Sequence, residues 1–349
     1  MVCIDLKISY ELSIIPHNFE LCRRDWIFIT SHYRLFMKIQ AESRPLAASA
    51  REERASMQLR GKTAFITGAA SGIGLAIAEK CAAEGMKLLI ADIAADALAA
   101  AAEALRASGA EVATYRLDVS DLDTYRAVAE AVLAEHGAPF LLVNNAGVAW
   151  KAPASAATPE DWRWTVSVNI LGVGYGLSLF VPAMIASGEQ GYVVNTASVT
   201  GLITSPGTSA VYAATKHAVL AISETLAHEL RPHGLHVAVL CPGSVATNIT
   251  DADRNLPDHV SHDGLTSAEE SERAFTRQFV GNGLPPAAVA DQLFAALAER
   301  RFYVITHPEY REEIETRHRQ IEAAIRGEPA SDVGLLAMAK QILNLQPLT

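Results

Sequence analysis

The stretch Thr63-Ala64-Phe65-Ile66-Thr67-Gly68-Ala69-Ala70-Ser71-Gly72-Ile73-Gly74 reads as a short apolar strand, a glycine-rich turn and the start of a helix. Glycine lets the turn tighten and lets backbone amides approach a phosphate with no Cβ in the way. The helix end beyond it offers unpaired N–H groups and a positive dipole, which suit an anion. A glycine cluster alone could be a plain tight turn. Its place between strand and helix favours nucleotide binding.

The chain on either side supports that reading. Lys87–Asp92 is a second apolar strand, followed by an alanine-rich helix over Ala94–Ala107. Further strands are expected at Val112–Leu117, Phe140–Asn144, Tyr192–Thr196, Leu235–Leu240 and Phe302–Thr306. Helices are expected over Asp121–His136, Pro159–Ile185, Ser209–Leu230, Ala287–Glu299 and Tyr310–Arg326. Continuous apolar strands alternating with helices signal a parallel sheet covered on both faces. Right-handed crossovers then give a doubly wound, three-layer α/β/α sheet with its ligand crevice at the carboxyl ends of the strands. Polar residues dominate from Ser244 to about Pro285, which reads as a substrate lid after the sixth strand.

Asp92 closes the second strand, 18 residues after Gly74, where a carboxylate can accept hydrogen bonds from the adenosine ribose hydroxyls. A 2′-phosphate would be repelled there. No Lys or Arg lies in Gly68–Gly74, so NAD is expected over NADP.

Composition bounds the rest. The 349 residues are 50% hydrophobic and 19% charged, enough for a core and too apolar for a disordered chain. One domain at 57–327 is expected, with a tail at 328–349. A net charge of -10 argues against nucleic-acid binding, which needs a basic face. The four cysteines, Cys3, Cys22, Cys81 and Cys241, form no CxxC pair. A reducing cytoplasm is therefore expected, with no disulfide framework and no metal. No uninterrupted apolar run reaches the roughly 18 residues of a membrane span.

Residues 1–56 differ from the remainder of the chain. They contain no glycine, and alanine is absent before Ala41. Three readings stand: an upstream extension with Met57 as the working start, a poorly ordered or partner-binding arm, or a targeting segment. None gives the segment a chemical role.

Seven motifs in order resemble the short-chain dehydrogenase/reductase family over roughly Leu59 to Thr306. The turn Gly68–Gly74 is similar to its TGxxxGIG element, and Asp118-Val119 to its adenine-contacting pair. Asn144-Asn145-Ala146-Gly147 resembles its NNAG motif, and Asn169 with Gly172 its NxxG. Ser198 stands where the family carries a catalytic serine, and Tyr212-Ala-Ala-Thr-Lys216 is similar to its YxxxK. Pro242-Gly243-Ser244-Val245-Ala246-Thr247 resembles the PGxVxT segment that reaches the nicotinamide. The Ser198–Tyr212 gap is slightly long, which bears on the loop between them. The total length resembles the extended branch of the family, but GxxxGxG is not that branch's GxxGxxG spacing.

The resemblance implies that Tyr212 is the acid/base and that Ser198 holds the substrate oxygen. It implies that Lys216 lowers the Tyr212 pKa and holds the nicotinamide ribose, that Asn169 anchors a relay water, and that Thr247 orients the carboxamide. It implies cofactor contacts at Gly68, Ser71, Gly72, Ile73, Gly74, Asp92, Asp118, Val119, Asn145, Ala146, Gly147, Tyr212, Lys216, Pro242, Gly243, Val245 and Thr247. On residue chemistry, Tyr212 and Lys216 lie four apart and share a helix face. A free phenol has a pKa of about 10. A cation about 4 Å away, at an effective dielectric near 20, contributes roughly 4 kcal/mol toward its ionisation.

Trp150, Val199, Leu202, Ile203 and Val245 are expected near the substrate. Their apolar character suggests a hydrophobic or cyclic secondary alcohol or ketone, though any such cleft has an apolar wall. The helices after 162 and 209 carry apolar residues on several sides, and family members pair such helices, so a homodimer or homotetramer is expected. Two rivals remain: an NADP-linked carbonyl reductase, or another enzyme, on the same scaffold, and a non-catalytic nucleotide-sensing protein.

Overall fold

A computed structural model describes residues 58–149, 154–204, 210–255, 277–278 and 280–328, with backbone only at 252–255. The expectations for residues 1–56, for Trp150, for the middle of the 244–285 loop and for nearly all of the 328–349 tail lie outside the described residues.

Seven parallel strands form one sheet in the order β3-β2-β1-β4-β5-β6-β7. They are β1 Thr63–Thr67, β2 Lys87–Asp92, β3 Val112–Arg116, β4 Leu141–Asn144, β5 Gly191–Thr196, β6 Leu235–Cys241 and β7 Tyr303–Ile305. The helices are α1 Gly72–Ala83, α2 Ala95–Ala107, α3 Leu122–His136, α4 Pro159–Val166, α5 Gly172–Ser187, α6 Ala210–Leu230, α7 Pro286–Ala298 and α8 Arg311–Ile325.

Period-two alternation sorts the strand residues onto two faces. Ala64, Ile66, Leu88, Ile90, Leu141 and Val143 pack on α1, α2 and α7. Phe65, Leu89, Leu142 and Val193 point the other way, onto α3, α4, α5 and α6. The rings of Phe65 and Phe180 meet at 4.5 Å between centroids, tying β1 to α5. Both faces are therefore sealed, and the crossovers leave the carboxyl ends of the strands open.

Strand order reverses at β1, which pairs with β2 on one side and β4 on the other. Ligands of such sheets bind at this switch point. The turn after β1 and the residues after β4 flank it.

The expected helix Pro159–Ile185 is not continuous. A π-helical turn, Ser167–Leu171, separates α4 from α5. The reason is local: the Asn169 side chain is held by hydrogen bonds to Val148 and Thr215, and a widened turn accommodates a residue pulled out of the regular spiral. Pro159–Ser187 as a whole is long and apolar enough to cross a membrane by length and composition. It carries polar and charged residues, including Asp161, which is buried in a capping box with Thr158. Phe180, Val181 and Met184 are packed under the sheet. That is the arrangement of a core helix.

Candidate active site

The phosphate turn is built by glycine. Gly68 has φ +67, and a Cβ there would sit 2.8 Å from Ala146 Cα. At Gly74 a Cβ would fall 2.1 Å from the Gly68 carbonyl oxygen, so only glycine lets α1 start this close to the turn. Ser71 precedes α1 without a side-chain cap bond, leaving the first helical N–H groups to face the crevice. A cradle without Cβ atoms and an uncapped helix start fit a dinucleotide pyrophosphate. Ile73 is partly buried and packs on the core.

Asp92 closes one side of the turn. Its Oδ2 accepts the Ala70 N–H at 3.0 Å and its Oδ1 the Ala94 N–H at 3.0 Å. Asp118 accepts from the backbone and hydroxyl of Ser120. Val119 is buried against α5, where a Cβ on Gly172 would meet its Cγ2 at 2.9 Å.

Asn145 ties β1 to β4. Its Nδ2 donates to the carbonyls of Thr67 and Gly68, and its Oδ1 accepts from Thr196. The Thr67 hydroxyl accepts the N–H groups of Asn145 and Ala146 at 3.0 and 3.1 Å. Gly147 brings the backbone close to the reactive groups: a Cβ there would lie 3.2 Å from Asn169 Oδ1 and 3.5 Å from Lys216 Nζ.

Ser198, Tyr212 and Lys216 converge at the ends of β5 and β6. Lys216 is buried on α6, and its Nζ donates to the Thr196 carbonyl at 2.9 Å. The same Nζ lies 5.6 Å from the centre of the Tyr212 ring. Ser198 hydrogen-bonds the Tyr212 side chain. The Ser198 hydroxyl also donates to the Pro242 carbonyl at 3.3 Å and accepts the Thr200 N–H at 3.1 Å. Asn169, 1% exposed, bonds both backbone groups of Val148 and the Thr215 hydroxyl. Thr215 in turn donates to the Tyr212 carbonyl at 2.8 Å. The four residues that the YxxxK, NxxG and serine motifs single out thus form one connected cluster.

Burial dominates the electrostatics. It pushes the Tyr212 phenol up to about 12, opposed by the bond from Ser198. It brings the Lys216 ammonium down to about 8. The protein groups alone therefore do not make Tyr212 acidic. Desolvation is the largest cause of the Tyr212 shift.

Thr247 reaches across the crevice. A Cβ on Gly72, whose φ is +58, would sit 3.0 Å from Thr247 Cγ2. Val245 is 4% exposed and packs in the core beside Val289 and Leu293. The two ends of the 244–285 loop meet, with Leu284 N–H donating to the Ser244 carbonyl and Ala246 N–H to the Leu284 carbonyl, both at 2.9 Å. Val199 and Ile203 are buried beside Ser198, while Leu202 packs against Val173, Ala197, Val219, Val239 and Cys241.

Thr67 opens the TGxxxGIG element, but motif reading gives no role to Thr196 or Thr215, whose oxygens, like those of Thr67, hold the functional side chains. His307, far along the chain, also reaches the site: its Nδ1 accepts the Gly243 N–H at 3.0 Å. Among the described residues, no group of His, Cys, Asp and Glu could hold a metal ion. Cys81 and Cys241 are free and buried.

Comparison with known proteins agrees with this geometry. The family model described as short chain dehydrogenase matches residues 62–257. A CLA biosynthesis dehydrogenase/reductase of Lactiplantibacillus plantarum is 34% identical over 269 residues, 75% of this chain and 93% of that protein. A 1-deoxy-11-beta-hydroxypentalenate dehydrogenase of Streptomyces avermitilis is 33% identical over 255 residues, 72% of this chain and 86% of that protein. A short chain dehydrogenase/reductase from Burkholderia phymatum, solved in complex with NAD, superposes with a TM-score of 0.74 at 40% identity, covering 79% of this chain and 98% of that one.

Proposed function

The chain belongs to the short-chain dehydrogenase/reductase family, and from that premise we propose that it is an NAD-linked oxidoreductase interconverting a secondary alcohol and its ketone. The observation that carries this is the convergence of Ser198, Tyr212 and Lys216 beside a glycine cradle open to a dinucleotide. When bound, the nicotinamide supplies the hydride acceptor or donor and, if oxidised, a second positive charge.

Tyr212 exchanges a proton with the substrate oxygen, and Ser198 hydrogen-bonds that oxygen and fixes its position. The Lys216 ammonium, 5.6 Å from the centre of the Tyr212 ring, favours the phenolate, and burial opposes it. The charge of an oxidised nicotinamide would favour it further when bound.

Lys216 has two further N–H donors beyond the Thr196 bond, suited to ribose hydroxyls. Asn169 fixes the Val148 backbone and, through Thr215, the Tyr212 turn of α6. NAD preference is supported by Asp92 beside the turn and by the NAD complex of the Burkholderia phymatum relative. An apolar substrate is supported by Val199, which adjoins Ser198 in sequence. Trp162 and Leu171, 38% and 41% exposed, support pairing of the α4–α5 face in a homodimer or tetramer.

The test is a panel of aliphatic and cyclic secondary alcohols and ketones with NAD(H) and NADP(H), read by cofactor absorbance. Turnover of an apolar secondary alcohol with NAD at least tenfold above NADP is the expected result. Turnover with NADP alone overturns the cofactor reading, and no turnover of any member despite NADH binding overturns the activity.

A further inference from the structure

We propose that His307 is a positioning residue for the nicotinamide half of the cofactor site, acting by clamping the Gly243–Ser244 segment between the Gly243 N–H and the Ser244 carbonyl. The inference rests on the dehydrogenase reading above. His307 follows β7 and is 4% exposed. Its Nδ1 accepts the Gly243 N–H at 3.0 Å, and its Nε2 lies 2.9 Å from the Ser244 carbonyl oxygen. A backbone N–H can only donate and a carbonyl can only accept, so the two contacts set the ring's state together. Nδ1 therefore accepts and Nε2 donates. The Thr306 hydroxyl, 2.7 Å from Nδ1, then donates to the same lone pair.

The ring is seated as tightly as it is bonded. A Cβ on Gly243 would sit 2.7 Å from His307 Cγ and 2.9 Å from a Tyr310 ring carbon. The clamp holds more than one peptide. The Ser244 carbonyl also takes the Leu284 N–H, and Ala246 N–H donates to the Leu284 carbonyl. His307 therefore secures the point where the 244–285 loop leaves and rejoins the core. Three residues past Ser244, Thr247 lies on Gly72 of the phosphate turn. Releasing the Gly243–Ser244 segment would displace Thr247, but not the adenosine side, where Asp92 bonds Ala70 and Ala94.

That asymmetry gives the test. The full-length protein and its His307→Ala and His307→Asn variants are titrated with NADH and with ADP-ribose, which lacks the nicotinamide. His307→Ala is expected to weaken NADH about tenfold, the effect of one lost hydrogen bond, while ADP-ribose stays within about twofold. His307→Asn, whose Oδ1 can take the Gly243 N–H, recovers part of the NADH affinity. Equal loss for both ligands, or NADH affinity unchanged in both folded variants, overturns the proposal. If His307→Ala does not fold, the NADH to ADP-ribose ratio in His307→Asn decides, and an unchanged ratio overturns it. Failure of the wild-type protein to bind NADH overturns the dehydrogenase reading instead.

Discussion

Replacing Asn169 with alanine tests how the π turn holds the site together. The amide makes three buried hydrogen bonds, accepting from Val148 N–H at 2.9 Å and donating to Val148 O at 2.9 Å and Thr215 Oγ1 at 3.0 Å. Alanine leaves both backbone groups of Val148 without these partners, while Thr215 keeps its bond to Tyr212. Val148 is 6% exposed, so water does not easily replace the amide. At about 1–3 kcal/mol for each buried group left unpaired, the loss is about 2–6 kcal/mol, a large part of a typical domain's stability. For a domain of this size, 1 kcal/mol moves Tm by roughly 2–4 °C. A fall of about 4–24 °C at matched protein concentration is therefore expected, with a matching shift in urea midpoint at constant slope. A loss below about 1 kcal/mol would refute the reasoning. It would mean that Val148 finds other partners and that the Asn169 amide does not hold the turn.

Three further outcomes come from the geometry. The folded-state pKa of Lys216 is brought down to about 8 from an ordinary 10.5. The unfolded chain therefore binds the extra proton between those values, and stability rises with pH there, while below about 8 the full penalty stands. Urea unfolding should show the wild type gaining about 2–3 kcal/mol on Lys216→Met between pH 7.5 and 10, and a flat difference rejects a buried ammonium. Asp92→Asn replaces one of the two acceptors with an NH2 donor facing a backbone N–H, costing about 1 kcal/mol. It should lower the NAD over NADP preference in kcat/KM about tenfold, and an unchanged preference removes Asp92 from cofactor choice. Gly68→Ala places a Cβ 2.8 Å from Ala146 Cα at φ +67. It should destabilise by about 2 kcal/mol or more and weaken NADH, and a neutral result would mean the turn relaxes freely.

The central strands were legible because burial on both faces writes them as nearly unbroken apolar runs, whereas the edge strands β3 and β7 are partly exposed. β1 and β2 fall at the expected residues, and the other strands differ by a residue or two at their ends. Ser198, Tyr212 and Lys216 were legible as a set because the motifs lie at the ends of adjacent elements, and parallel crossovers bring those ends together. The π turn was not legible: helical periodicity over Pro159–Ile185 registers an apolar face, not a single widened turn. Nor was the His307 clamp, whose partners lie 63 and 64 residues away. Spacing shows the Tyr212–Lys216 pair but not the burial that raises the phenol's pKa.

The acid/base role of Tyr212 is tested most directly by Tyr212→Phe, measured for both NADH affinity and turnover of the alcohol that the wild type uses best. Removing one hydroxyl leaves the ring on α6 and the phosphate turn in place. NADH should still bind within about threefold, while kcat falls by about a thousandfold or more, the scale of lost general acid–base catalysis. A variant that turns over at near wild-type rate contradicts the account, whatever its cofactor affinity.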